Sequence, residues 1–182
     1  MNDLIFEKAA PAEFSEIKNF YWSLIDEMSD RVHQFGWIKG VYPSDDYIKG
    51  CLEAGEFYVL RHAGDLCGCV ILNSSFNEGY AGTVWSVPCD PSEALVPHAL
   101  AISPAYQGAG LAKKLLDIIT DLAKKSGKKA VRLDIVSSNT PAERLYTGYG
   151  FKFIQEKVMF YEDTGWTDYK LYELDLRSLN FT

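Results

Sequence analysis

AISPAYQGAGLAKKLL, residues 101–116, carries the reading of this chain. An apolar, strand-like end runs into Pro104, then into Gly108, Ala109 and Gly110, then into an amphipathic helix. The first four N–H groups of a helix have no intrahelical partner, and the helix dipole places roughly +0.5 charge there. Small residues let an anion approach those amides, so QGAGLAKK, residues 107–114, reads as a phosphate cradle with Lys113 and Lys114 nearby. The competing reading is a flexible strand-to-helix turn. Two nucleotide motifs fail here. A P-loop needs a second glycine directly before lysine and a hydroxyl after it, and Lys113 has neither. The dinucleotide fingerprint needs Gly or Ala where Lys113 stands.

Outward from this stretch, the chain reads as one domain over its 182 residues, large enough to bury a substantial core. Its 47% hydrophobic and 24% charged content is ordinary for a soluble globular protein. A net charge of -7 argues against nucleic acid or an anionic membrane as the main partner, and mildly favours cationic ligands such as amines. The N-terminus does not read as a signal peptide, and no apolar run approaches the roughly 20 residues of a membrane span. Cys67 and Cys69, two apart in a strand-like run, are expected on one face. No His/Cys spacing suggests a metal, so Cys51, Cys67, Cys69 and Cys89 read as reduced thiols of a cytoplasmic protein.

Periodicity organises the rest. LIFEKA, residues 4–9, alternates as a strand, and apolar residues from Ile17 to Met28 recur at helical spacing between Pro11 and about Asp30. A short helix follows with Ser44 as N-cap, then a hairpin turning at residues 62–65, then an irregular stretch at 77–94 long enough to suggest function. A strand at about 95–103 enters the cradle. The next helix shows Leu111, Leu115, Ile118, Ile119 and Leu122 on one side and closes at Gly127. A strand at about 129–137, a helix capped by Thr140 with Glu143 completing a capping box, and two final strands complete a mixed α/β order.

The pattern Gln107-x-x-Gly110-x-Ala112 resembles the acetyl-CoA signature of the GNAT superfamily of N-acetyltransferases. HALAISPAYQGAGLAKKLL is similar to that family's fourth strand, cradle and third helix, and VRLDIVSSNTPAERLYTGYGF to its fifth strand, fourth helix and the start of its sixth strand. The resemblance implies an α/β (α+β) fold: a mixed, mostly antiparallel sheet of about seven strands, splayed between the fourth and fifth, flanked by four helices. It also implies acetyl-CoA as co-substrate, without metal. Its pyrophosphate would lie on the amides of Gln107, Gly108, Ala109, Gly110, Leu111 and Ala112, with Lys113 beside them, and its pantetheine along the backbone of Leu100, Ala101 and Ile102. Asn139 matches the family asparagine that bonds the pantetheine arm; a loop residue at a helix cap is its other reading.

Tyr146 matches the family tyrosine that protonates the departing thiolate, a role suited to a phenol of pKa about 10. Packing on an amphipathic helix is the alternative. Holding an acceptor ammonium neutral at pH 7 costs roughly 4–5 kcal/mol, so the chemistry needs a base or a water chain. Asp134, twelve residues before Tyr146, stands where the ribosomal-protein alanine acetyltransferases it resembles carry glutamate. Its alternative is a salt bridge with Arg132 or Lys129. His98 is the second base candidate, set against a structural histidine. A backbone N–H near Leu100 or Ala101 would meet developing negative charge.

In this family the acceptor is read by three stretches, here about 32–47, 77–97 and 160–169. They hold Trp37, Tyr42, Tyr80, Trp85, Tyr161 and Trp166 among Asp45, Asp46, Glu78, Asp90, Glu93, Glu162, Asp163 and Asp168. Aromatics beside carboxylates suit an amine with an apolar body. GWIKGVYPSDDYI, residues 36–48, is similar to a subgroup of small bacterial acetyltransferases. The expectation is acetyl transfer to a small-molecule or peptide amine, with a homodimer as the oligomer common in the family. An acyl-CoA-binding sensor on the same fold is the alternative.

Overall fold

The computed structural model describes residues 3–28 and 36–178. Seven strands form one sheet in the order β1-β2-β3-β4-β5-β7-β6. They are β1 (Leu4–Lys8), β2 (Phe57–His62), β3 (Asp65–Asn73), β4 (Ala94–Ile102), β5 (Ala130–Val136), β6 (Lys152–Tyr161) and β7 (Gly165–Asp175). Every pairing is antiparallel except β4–β5. The helices are α1 (Phe14–Glu27), α2 (Asp45–Glu53), α3 (Leu111–Lys125) and α4 (Thr140–Tyr149). This is the mixed, mostly antiparallel architecture that the resemblance implies.

Each face of the sheet has its own core. On one, Ile17, Tyr21 and Leu24 of α1 and Ile48 and Leu52 of α2 pack on Phe57, Val59, Cys69 and Ile71. On the other, Leu111, Leu115, Leu116 and Ile119 of α3 and Tyr146 of α4 pack on Leu60, Val70, Leu72 and Leu133. Each such aliphatic side chain contributes roughly 1.5–3 kcal/mol by leaving water. Ser44 caps α2 as expected, accepting from the Tyr47 amide at 3.2 Å.

Several expectations need correction. The first helical stretch opens as a 3-10 turn at Pro11–Glu13, because Pro11 and Ala10 set a tight start before α1; residues 29 and 30 lie outside the described residues. The buried stripe of α3 runs through Leu111, Leu115, Leu116, Ile119 and Ala123, which leaves Ile118 and Leu122 at its margin. Asn139, not Thr140, caps α4: its Oδ1 accepts from the Ala142 amide at 3.2 Å. Glu143 is drawn instead to Lys170 and to the Tyr172 hydroxyl, both at about 2.9 Å, where opposite charge outweighs a cap bond. Cys67 and Cys69 do not share a face. A bulge between the pairs Leu60–Gly68 and Arg61–Leu66 adds a residue, so Cys67 joins the α3 side and Cys69 the α1 side.

Two features open the sheet. The parallel contact of β4 with β5 is limited to Ala94–Ala130 and Leu95–Val131, so beyond Leu95 the strands diverge. In β4, register with β3 slips between Ala101–Cys69 and His98–Ile71, and Ala99 takes φ 49. The Tyr21 hydroxyl donates to the Ala99 carbonyl at 2.6 Å and fixes that bulge from α1. Beside the opening, the stretch before β4 is fastened by a buried pair: Arg132 Nε meets Glu173 Oε1 at 3.0 Å, and both side chains hold the Val87 backbone.

Candidate active site

The start of α3 leaves its backbone donors open. Gly110, its N-cap, takes φ 76 and Gly108 takes φ 79, conformations that a side chain resists. No side chain caps the helix. The Ala109 amide reaches the Tyr106 carbonyl at 3.4 Å and the Lys114 amide the Gly110 carbonyl at 3.1 Å. The amides of Gly108, Gly110, Leu111, Ala112 and Lys113 bond no other described residue. Gln107, Gly108, Ala109 and Gly110 are exposed, and a Cβ at either glycine would meet nothing within 4 Å. Open, uncapped donors at the positive end of a 15-residue helix fit a diphosphate.

The splay adds the second part. Leu100, Ala101 and Ile102 lie on the segment of β4 that β5 leaves uncovered, while Ala101 and Ile102 still pair with Cys69 and Gly68 on β3. That is a free strand edge leading from the cradle, of the kind an extended amide-bearing arm would pair with. Asn139 faces the same opening, its oxygen already committed to the α4 cap.

Between the diverging strands lies a cavity of about 140 Å³. The structure brings Asp134, Tyr146 and His98 to its walls together with Trp37, Tyr42, Tyr80 and Tyr161. Asp134 makes neither proposed salt bridge: Arg132 pairs with Glu173 and Lys129 with Glu93. Its Oδ2 accepts instead from the Tyr80 and Tyr161 hydroxyls, at 2.7 and 2.8 Å. Burial pushes its pKa up, the two phenols pull it down, and the charge of Asp163 pushes it up again. Tyr146 is 7% exposed and stacks edge-on against Phe151. Burial, and next the charge of Asp134, raise its pKa, so the phenol stays protonated.

His98 has a different setting. Its Nε2 lies 2.9 Å from Asn73 Oδ1, an acceptor, so that nitrogen carries the proton. Burial lowers its pKa to about 4. The unfolded chain takes up this proton near pH 6.5 and the folded chain only near pH 4, so between these values the unfolded state binds more protons. The His98 contribution is therefore full above about pH 6.5 and is lost as pH falls toward 4. Urea unfolding of the parent chain and of His98→Gln should show a difference in stability that shifts by about 2–3 kcal/mol between pH 7.5 and pH 4. A pH-independent difference overturns this assignment.

The acceptor stretches divide. Asp163 reaches the cavity, whereas Asp45 bonds Lys18, Glu93 bonds Lys129, and Asp46, Glu78, Asp90, Glu162 and Asp168 are exposed. Trp85 lies over Arg132, 4.5 Å from its guanidinium carbon, and Trp166 is 75% exposed. Residues 32–35 of the first stretch lie outside the described residues. Sequence reading missed Tyr169, whose ring lies 4.9 Å from that of Tyr161 in the cavity wall. It also missed the clasp on Asp134. The available signal was tyrosine, rather than phenylalanine, at buried Tyr80 and Tyr169 and partly buried Tyr161.

Comparison with known proteins bears on the family and the fold. The model of the acetyltransferase (GNAT) family matches residues 17–151. N-alpha-acetyltransferase RimI of Mycobacterium tuberculosis is 32% identical over 87 residues, 48% of this chain and 52% of that protein. [Ribosomal protein bS18]-alanine N-acetyltransferase of Haemophilus ducreyi is 37% identical over 62 residues, 34% of this chain and 43% of that protein. The chain spans between 23% and 52% of the length of the curated relatives it matches. Among solved structures, yncA of Salmonella typhimurium, determined with its cofactor acetyl-CoA, superposes with a TM-score of 0.69 at 21% identity, covering 100% of this chain and 98% of that one. No helix among the described residues is long and apolar enough to cross a membrane, and none of their His, Cys, Asp and Glu side chains cluster as a metal site. With a family model covering most of its length, the chain belongs to the acetyltransferase (GNAT) family.

Proposed function

We propose that the chain transfers the acetyl group of acetyl-CoA to the nitrogen of a primary amine by direct attack in a ternary complex. The observation that carries this is one cavity holding a clasped carboxylate and a protonated phenol beside the uncovered edge of β4. The amides of Gly108, Gly110, Leu111, Ala112 and Lys113 hold the diphosphate, and Leu100 to Ile102 seat the pantetheine. When bound, acetyl-CoA supplies an activated acyl carbon and a sulfur leaving group.

The residues of the chain account for the protons. Both tyrosines reach Asp134 Oδ2, which leaves Oδ1 to take the ammonium of the acceptor. Asp134 takes the first proton from the ammonium, directly or through water, so that a neutral amine attacks. The second proton, which nitrogen loses once the N–C bond has formed, passes through water to the Tyr146 oxygen and replaces the one given to sulfur. Tyr146 gives its proton to sulfur as the C–S bond breaks. Of the two candidate donors, the N–H of Leu100 meets the charge developing on the carbonyl oxygen, because that of Ala101 is turned toward Cys69 on β3. His98, neutral and bonded to Asn73, positions the β3–β4 end and takes no proton.

Free thiol released from acetyl-CoA in the presence of an amine panel tests this. Asp134→Asn keeps a hydrogen-bond acceptor for Tyr80 and Tyr161 but is a far weaker base. It should lower kcat by at least about a hundredfold with acetyl-CoA affinity preserved. Acetyl-CoA binding with no thiol release for any amine would identify a binding module instead.

A further inference from the structure

The acceptor end of the cavity carries two acids. Asp163, in the β6–β7 turn, lines it together with Asp134, and its charge is felt there. Rings stand around them: Trp37 and Tyr42 meet edge-on at 5.9 Å, and Tyr161 and Tyr169 lie tilted at 4.9 Å. Tyr146, 7% exposed, lines the same space with a hydroxyl that bonds no other described residue.

An ammonium answers all of these groups at once. It pairs with carboxylate oxygen and sits favourably against ring faces. A carboxylate on the same molecule would instead be desolvated beside like charge. Size narrows the choice further. The cavity of about 140 Å³ is close to the roughly 150 Å³ that admits benzene in an engineered protein core.

Resting on the acetyltransferase reading of this cavity, we propose that the acceptor is a small amine with an apolar body of about one ring and no carboxylate. Asp134 takes its ammonium, and Asp163 is the specificity determinant that turns away the corresponding α-amino acid. An α-amino acid is larger than its decarboxylated amine by the three heavy atoms of the carboxylate, so the Asp163→Asn variant, which leaves the cavity's volume nearly unchanged, is what separates charge from size.

The test compares matched pairs on the full chain with acetyl-CoA, following thiol release: phenethylamine against phenylalanine, tyramine against tyrosine, isoamylamine against leucine, with an uncharged-end tetrapeptide amide alongside. Each amine should exceed its amino acid in kcat/KM by at least about a hundredfold. Asp163→Asn should shrink that ratio about tenfold, chiefly by improving the amino acid. The pairwise comparison on the parent chain stands even if the variant does not fold. Amino acids turned over as well as their amines, a peptide preferred to every free amine, or an unchanged ratio in folded Asp163→Asn overturns the proposal and leaves the transferase standing. Thiol release with no acceptor at all overturns the transferase reading and the proposal with it.

Discussion

Tyr146→Phe is expected to lower kcat by about a thousandfold while changing acetyl-CoA affinity less than about twofold. The ring keeps its place in this variant. It is packed in the α3-side core with Phe151 at 5.4 Å, and phenylalanine fills the same volume. The hydroxyl bonds no other described residue, so its removal orphans no protein donor or acceptor, and urea unfolding should agree with the parent chain within about 0.5 kcal/mol. What disappears is the proton that sulfur would receive. Because burial and the Asp134 charge raise the phenol's pKa, it stays protonated through neutral pH and the loss should be constant there. Equal losses of turnover and affinity, or a drop in stability, would make Tyr146 a packing residue only.

Gly110→Glu should weaken acetyl-CoA binding by about a thousandfold in a calorimetric or fluorescence titration. Two effects combine. The added carboxylate stands at the positive end of α3, where two negative charges of a diphosphate would sit within 5–8 Å, each repulsion about 2–3 kcal/mol at an effective dielectric of 20. The left-handed φ of 76 separately strains any side chain, by about 1–2 kcal/mol on the fold. Gly110→Ala isolates the second effect: it meets no neighbour within 4 Å and should lose stability without the thousandfold loss of binding. Undiminished affinity in the glutamate variant would place the nucleotide elsewhere.

The open start of α3 was legible because its cause is local. Two glycines, an absent N-cap side chain and an apolar period of 3.6 all lie within QGAGLAKK and the helix after it. The hairpin at residues 62–65 and the Ser44 cap were legible for the same reason. The cavity between β4 and β5 was not. Tyr80, Asp134 and Tyr161 meet only because β5 lies between β4 and β7, with β6 beyond, a strand order that no spacing along the chain encodes. Local pattern also misled where a single inserted residue resets alternation, as at Cys67, and where a distant cation outbids a neighbouring amide, as at Glu143. Carboxylates in the three acceptor stretches looked equivalent in sequence. Partners elsewhere in the chain, or solvent, had already taken all but Asp163.

Tyr21 is the one described hydroxyl that ties α1 to the bulge in β4, through the Ala99 carbonyl. The helix layer it belongs to packs on the opposite face of the sheet from α3 and α4. The Tyr21 ring is buried in the core that α1 shares with β2, β3 and β4. The left-handed turn at Ala99 is therefore anchored in the packing of one whole face, and the opening of the strands is a property of the folded core rather than of a surface loop.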